Sequence, residues 1–223
     1  YSVNKEDIWV SSVPVPITGD SPLPADDEFE ETPHGELPEN WNIYRPLWAP
    51  VRVIDSSGPH GHVLELVDED PYDFAVAARV FPERRSVRIT FRLQPQRADK
   101  RLEVDVQSAH GLRPVQIAFT ENGTIESRHE GIWKPGGTYA PGQWIEVELD
   151  INPGSNTERF QLRINGEEVL YRPSYFTDYP EKVERIVFRT GYHRLRGQGG
   201  HELEGADQKA PTALTGSKNI PLL

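Results

Sequence analysis

Glu103-Val104-Asp105-Val106-Gln107 sets three polar side chains on one face of a strand, neighbouring pairs about 6.6–7 Å apart, a spacing suited to glycoside hydrolysis by paired carboxylates. One group of such a pair protonates the leaving oxygen while the other acts as base or nucleophile. The third position here is Gln107, which cannot donate a proton as an acid does. Glu146, Glu148 and Asp150 repeat the spacing as E-x-E-x-D, alternating with Val147, Leu149 and Ile151 as a core face. Both acidic rows are therefore expected to be solvated outer faces of a sheet, with catalysis by Glu103, Asp105 or Tyr192 as the competing expectation.

Sugar binding asks for aromatic faces against the apolar side of a pyranose and planar hydrogen-bonders for its hydroxyls. Trp133 lies in HEGIWKPGGTYAPGQW beside a proline-glycine loop with Tyr139 near, and Tyr192, His193 and Arg194 end a strand in FRTGYHR. These five are the expected carbohydrate-binding residues. An acidic sugar could pair bidentately with Arg194 or Arg189 through a uronate or sulfate. Trp144 is expected in the core because it opens an alternating run, and Trp9, Trp41 and Trp48 are placed to pack an N-terminal arm onto the body.

Metal chemistry has thinner support. His60 and His62 have the i, i+2 spacing that puts two imidazoles on one strand face, with Asp68, Glu69 and Asp70 following. Residues 56–61, SSGPHG, read as a turn, so the histidine pair is expected to be a loop feature. The acidic run Asp26, Asp27, Glu28, Glu30 and Glu31 lacks the glycine-turned twelve-residue loop of an EF-hand.

The elements that must position these residues are strands. Between Gly142 and Val169, Val147, Leu149 and Ile151 are answered by Phe160, Leu162 and Ile164, and Asn165-Gly166 supplies the positive φ angles of a tight hairpin. Further alternating runs are read at 48–54, 63–67, 74–81, 86–93, 102–107, 115–120, 125–133, 168–171 and 185–190. About eleven strands with turns between them predict an all-β jelly-roll sandwich of two antiparallel sheets. Residues 175–184 read as a short helical turn, 195–210 as loop and 213–222 as a returning strand. Residues 1–17 read as an extended arm broken by Pro14 and Pro16, 18–40 as an acidic, proline-rich solvated linker, and 41–223 as the sandwich domain.

Composition narrows the partners. The 223 residues carry a net charge of −11, which repels phosphate backbones and argues against a nucleic-acid role. No run of about 18 apolar residues exists to form a membrane-spanning helix. With no cysteine, disulfides and thiolate metal sites are excluded. With no methionine, even at position 1, Tyr1 is not expected to be a translation start, and an upstream segment is expected to have been removed.

Two stretches add a resemblance. YSVNKEDIWVSSVPVPI at the start is similar to the last propeller strand of secreted bacterial proteins with sialidase-like, BNR-type repeats that act on polysaccharides. WIEVELDIN, FQLRINGEEV and VERIVFRTGYHR resemble the concanavalin A-like (laminin G-like) sandwich that such proteins often carry at the C-terminus. The resemblance implies a non-catalytic module, secreted, periplasmic or at the cell surface, that binds a polysaccharide or oligosaccharide or buttresses an upstream catalytic propeller. It also implies a structural calcium ion, for which the residues name no ligand set. A purely structural interface domain and a sandwich enzyme are the alternatives. Laminarinase-like sandwich hydrolases carry E-x-D-x-E, where this chain has Gln107 last; jelly-roll alginate lyases carry Q-I-H or Q-V-H, where this chain reads Gln116-Ile117-Ala118.

Overall fold

Strand alternation in the second half of the chain becomes a buried sheet face. In β12 (Ile145–Asn152) Ile145, Val147, Leu149 and Ile151 are buried while Glu146 is exposed, and in β13 (Arg159–Ile164) Phe160, Leu162 and Ile164 are buried. The two strands pair antiparallel with Val147 opposite Ile164, Leu149 opposite Leu162 and Ile151 opposite Phe160. The chain then reverses through Asn165 (φ 52°) and Gly166 (φ 81°) into β14 (Glu167–Glu168), the left-handed pair that a two-residue hairpin turn requires. Strand β7 (Val87–Leu93) pairs on the other side of β12, and β15 (Ser174–Tyr175) pairs with β13, giving a five-stranded antiparallel sheet.

The opposing sheet has seven strands: β3 (Trp41–Tyr44), β6 (Val76–Arg84), β8 (Leu102–Gln107), β9 (Val115–Phe119), β10 (Thr124–His129), β11 (Ile132–Thr138) and β16 (Val183–Thr190). Their order across the sheet is β11-β10-β9-β8-β16-β6-β3, with every pairing antiparallel. Its inner side contributes Val104, Val106, Val115, Ile117, Phe119, Ile125 and Ile186 to a core shared with the five-stranded sheet. Each fully buried side chain of this size contributes roughly 1.5–3 kcal/mol to burial. The chain is therefore an all-β, jelly-roll-type sandwich of two antiparallel sheets.

A second cluster lies under the β3–β6 side of the seven-stranded sheet. The hairpin of β4 (Val51–Asp55) and β5 (His62–Leu66) supplies Val51, Leu64 and Leu66, which pack with Ala49, Ala75, Ala77, Trp41 and Ile43.

The computed structural model describes residues 2–3, 7–8, 25–56, 61–70, 73–152, 159–169, 174–175 and 177–192. In the N-terminal arm β1 (Ser2–Val3) pairs with β2 (Asp7–Ile8); Trp9, residues 195–210 and the expected last strand at 213–222 lie outside the described residues. Among the described residues there is no helix, so none that could cross a membrane. Among the described residues of 175–184 the expected helical turn is not found: 175 and 183–184 are strand and 177–182 are bend or coil. The single run expected at 125–133 is two strands, folded at Glu130 (φ 48°) and Gly131 (φ 84°). Trp144 is half-buried rather than in the core, since the buried phase of its strand begins one residue later at Ile145.

Part of the acidic stretch makes specific contacts with the body. Asp27 accepts a hydrogen bond from Nε of the buried Arg79, and Glu30 accepts the backbone N–H groups of Gly61 (3.0 Å) and His62 (3.2 Å). The Phe29 ring lies 5.7 Å from Trp41, whose other neighbour is Phe188 at 6.0 Å. Acidity alone predicts solvation; here the carboxylates meet a buried guanidinium and open backbone donors.

Candidate functional site

Alternation along β8 turns Val104 and Val106 to the core and leaves Glu103 and Asp105 on the sheet's outer face. These carboxylates are not solvated: Glu103 is 3% exposed and Asp105 fully buried. The cause is a lattice of arginines. Asp105 is gripped bidentately by Arg113, with Nε at 3.0 Å and Nη2 at 2.8 Å, and accepts Nη1 of Arg189 at 3.0 Å. Glu103 accepts Nε of Arg101 at 2.8 Å and Nη2 of Arg189, its cross-strand neighbour on β16. Charge-assisted, bidentate pairs are the strongest hydrogen bonds a side chain makes. Both carboxylates are thus fully engaged, and neither is placed as a free general acid.

The row on the opposite sheet behaves as expected of a solvated face. Arg88 and Arg163 hydrogen-bond to Asp150, Arg163 also to Glu148, and Arg92 to Glu146, all at least partly exposed. The Arg88 hydrogen bond, ahead of that from Arg163, holds the Asp150 carboxyl below its usual range.

Arg101 carries the lattice to an aromatic patch. Its guanidinium carbon lies 5.0 Å from the ring centre of Trp133 and 4.4 Å from that of Tyr192. Such contacts are worth about 0.5–2 kcal/mol each, depending on desolvation. Trp133 is half-buried on β11, with Arg128 of the adjacent strand at 6.0 Å. Tyr192, 56% exposed, follows the end of β16 through Gly191 (φ 84°). A hydrogen bond to Glu121, then burial, raises the Tyr192 phenol above its ordinary value, so it stays a neutral donor. Glu121 also lies 3.8 Å from Nη1 of Arg101.

Trp133 and Tyr192 are therefore brought together, although they stand 59 positions apart in the chain. Tyr139 is not with them: its ring packs edge-on to Phe119 at 5.6 Å and its hydroxyl donates to the Thr120 carbonyl at 2.8 Å, at the margin of the core. His193 and Arg194 lie outside the described residues. Arg189 is not available to a uronate or sulfate as expected, because both terminal nitrogens are committed to Glu103 and Asp105 and the residue is 4% exposed. Arg101, Arg128 and Glu121 belong to the patch and were not anticipated. Arg101 was within reach of the alternation argument, since it stands two residues before Glu103 and shares its face.

His60 is outside the described residues, and His62 is turned to Asp55 (3.4 Å) and the Phe29 carbonyl (3.2 Å). Among the described residues no three His, Asp or Glu side chains converge on a common metal position.

An all-β sandwich of this kind is a fold that carbohydrate-binding modules share with enzymes and structural domains. Residues 41–199 match the family described as "Sialidase-like, CBM domain", and the chain belongs to that family. A solved sialidase structure is 28% identical with a TM-score of 0.63, over 70% of this chain and 14% of that chain. The chain thus spans about one seventh of the length of that relative. Also similar are a tetrameric galectin from the ball sponge Cinachyrella sp. (14% identity, TM-score 0.38, 54% of this chain and 89% of that one) and an alginate lyase (13%, 0.34, 76% and 85%). No curated protein matches the sequence.

Proposed function

We propose that the chain is the non-catalytic carbohydrate-binding module of a secreted, propeller-type polysaccharide-degrading enzyme, and that it holds glycan on the outer face of the seven-stranded sheet around Trp133 and Tyr192. The observation that carries this reading is the Arg101 guanidinium in contact with both of those rings. One face of each ring is braced by a fixed cation, and the exposed part of Tyr192 is free to meet the apolar side of a sugar. Arg128 and Glu121 stand at the rim as hydrogen-bonding groups. The full engagement of Glu103 and Asp105 by arginine favours binding over hydrolysis on this face.

Affinity gel electrophoresis over polygalacturonate, alginate, xylan and dextran tests the proposal. At least one polysaccharide is expected to retard the protein, with Trp133→Ala and Tyr192→Ala each weakening retention about tenfold, as loss of a hot-spot aromatic does. Retention that both variants leave untouched would place the sugar elsewhere. Retention by none of the four would sink the carbohydrate reading.

A further inference from the structure

Tyr179 and Tyr192 are both more than half exposed, at 53% and 56%, and they stand beyond opposite ends of β16, a strand of eight residues that spans about 25 Å. The short segment carrying Tyr179 is tied to the same region of the seven-stranded sheet. The Thr177 N–H donates to the Pro114 carbonyl at 3.2 Å, and its hydroxyl donates to the Arg128 carbonyl at 3.5 Å. Asp178 accepts the Arg113 N–H at 2.6 Å. Arg128 in turn donates from Nε to the Gly131 carbonyl at 3.0 Å and from Nη1 to Gln116 at 3.2 Å, beside Trp133. Arg101 and Tyr192 therefore stand by the Leu102–Thr190 end of the β8–β16 pair, Trp133 and Arg128 face each other across β11 and β10 further along, and the segment carrying Tyr179 is tied beside Arg128 at the other end of β16.

We propose that Tyr179 is a distal subsite, and that this face takes an internal stretch of a polysaccharide several units long rather than a terminal sugar. The inference rests on the carbohydrate-binding reading of the Trp133–Tyr192 patch and extends it. A disaccharide at that patch cannot also reach Tyr179 at the far end of β16. A longer oligosaccharide can, and its second contact forms within an existing complex, at the high effective concentration set by the sugar chain itself. Tyr179 is 53% exposed, and a ring with a polar tip suits a sugar face.

The test is isothermal titration with oligosaccharides of two and eight units cut from whichever of polygalacturonate, alginate, xylan or dextran retards the protein. The eight-unit probe is expected to bind at least about tenfold tighter than the two-unit probe, and Tyr179→Ala to remove that gain while leaving the two-unit affinity unchanged. Tyr192→Ala weakens both probes, and Tyr179→Trp restores the long-chain gain, which separates loss of a ring from damage to the fold. Equal affinity for the two lengths, or a gain that survives Tyr179→Ala, overturns the subsite while the carbohydrate reading stands. Retardation by none of the four polysaccharides overturns both.

Discussion

Replacing Asp105 by asparagine keeps the volume of the side chain and removes its charge from the centre of the arginine lattice. Asp105 is fully buried and accepts three arginine N–H groups, two from Arg113 and one from Arg189. Breaking a buried ion pair from one side costs about 3–5 kcal/mol, because the partner charge stays behind without compensation. For a domain of this size that corresponds to a fall in Tm of roughly 6–20 °C. The internal control is Glu148→Gln on the outer face of the other sheet, in the acidic row that looks the same on paper. Glu148 is partly exposed, and its partner Arg163 keeps Asp150, so the expected cost is below about 1 kcal/mol. Urea unfolding followed by tryptophan fluorescence, with thermal melts by circular dichroism, measures both. Equal costs for the two variants, or less than about 1 kcal/mol for Asp105→Asn, would refute the claim that the lattice is a buried, interdependent unit.

Asp68 carries the next expectation. Burial raises its carboxyl above the usual range against the opposing pull of Lys100 and a Thr190 hydrogen bond, and its Oδ1 is buried without a partner. A carboxyl raised on folding favours the native state while protonated, below its unfolded value of about 3.9, and that contribution is lost as the pH climbs through the native value. Asp68→Asn should therefore raise stability at pH 7, with the gain vanishing towards pH 3; a gain that does not depend on pH would refute this. At the β13–β14 turn, Gly166 has φ 81° and no atom within 4 Å of the Cβ a substitution would add, so Gly166→Ala should cost about 1–2 kcal/mol of purely backbone strain in urea unfolding. A neutral result there would mean the turn can relax to another geometry.

Local alternation carried far in this chain. Residues 145–151 and 160–164 read as a half-buried antiparallel pair because every second residue in each is apolar, and Asn165-Gly166 reads as a tight turn because both can adopt left-handed angles; the structure has both, the turn leading from β13 into β14. The limits of β8 at 102–107 were legible for the same reason. The hairpin at Glu130-Gly131 was not, since a non-glycine residue at positive φ has no sequence mark, and the two strands around it merged into one. The environment of the outer face was also hidden. Glu103-x-Asp105 and Glu148-x-Asp150 share a local pattern, and only distant partners such as Arg113 and Arg189 decide that the first is buried. Trp133 could be singled out because lysine and glycines surround it. Its meeting with Tyr192 could not, because it depends on sheet order and on a cation contributed by a third element.

The bracing of Arg101 bears on what ligand capture costs. A free arginine side chain commands about 2 kcal/mol of rotamer entropy, and immobilising such groups at the moment of binding is a main reason that contact area fails to become affinity. In this sandwich that loss is already taken during folding. Glu103 holds the guanidinium and two rings lie against it, so a glycan bound as proposed at Tyr192 would meet a surface whose motions are largely spent. On the proposed reading, what would remain to be ordered is the sugar chain itself, and a stiff glycan would then lose less on binding than a flexible one.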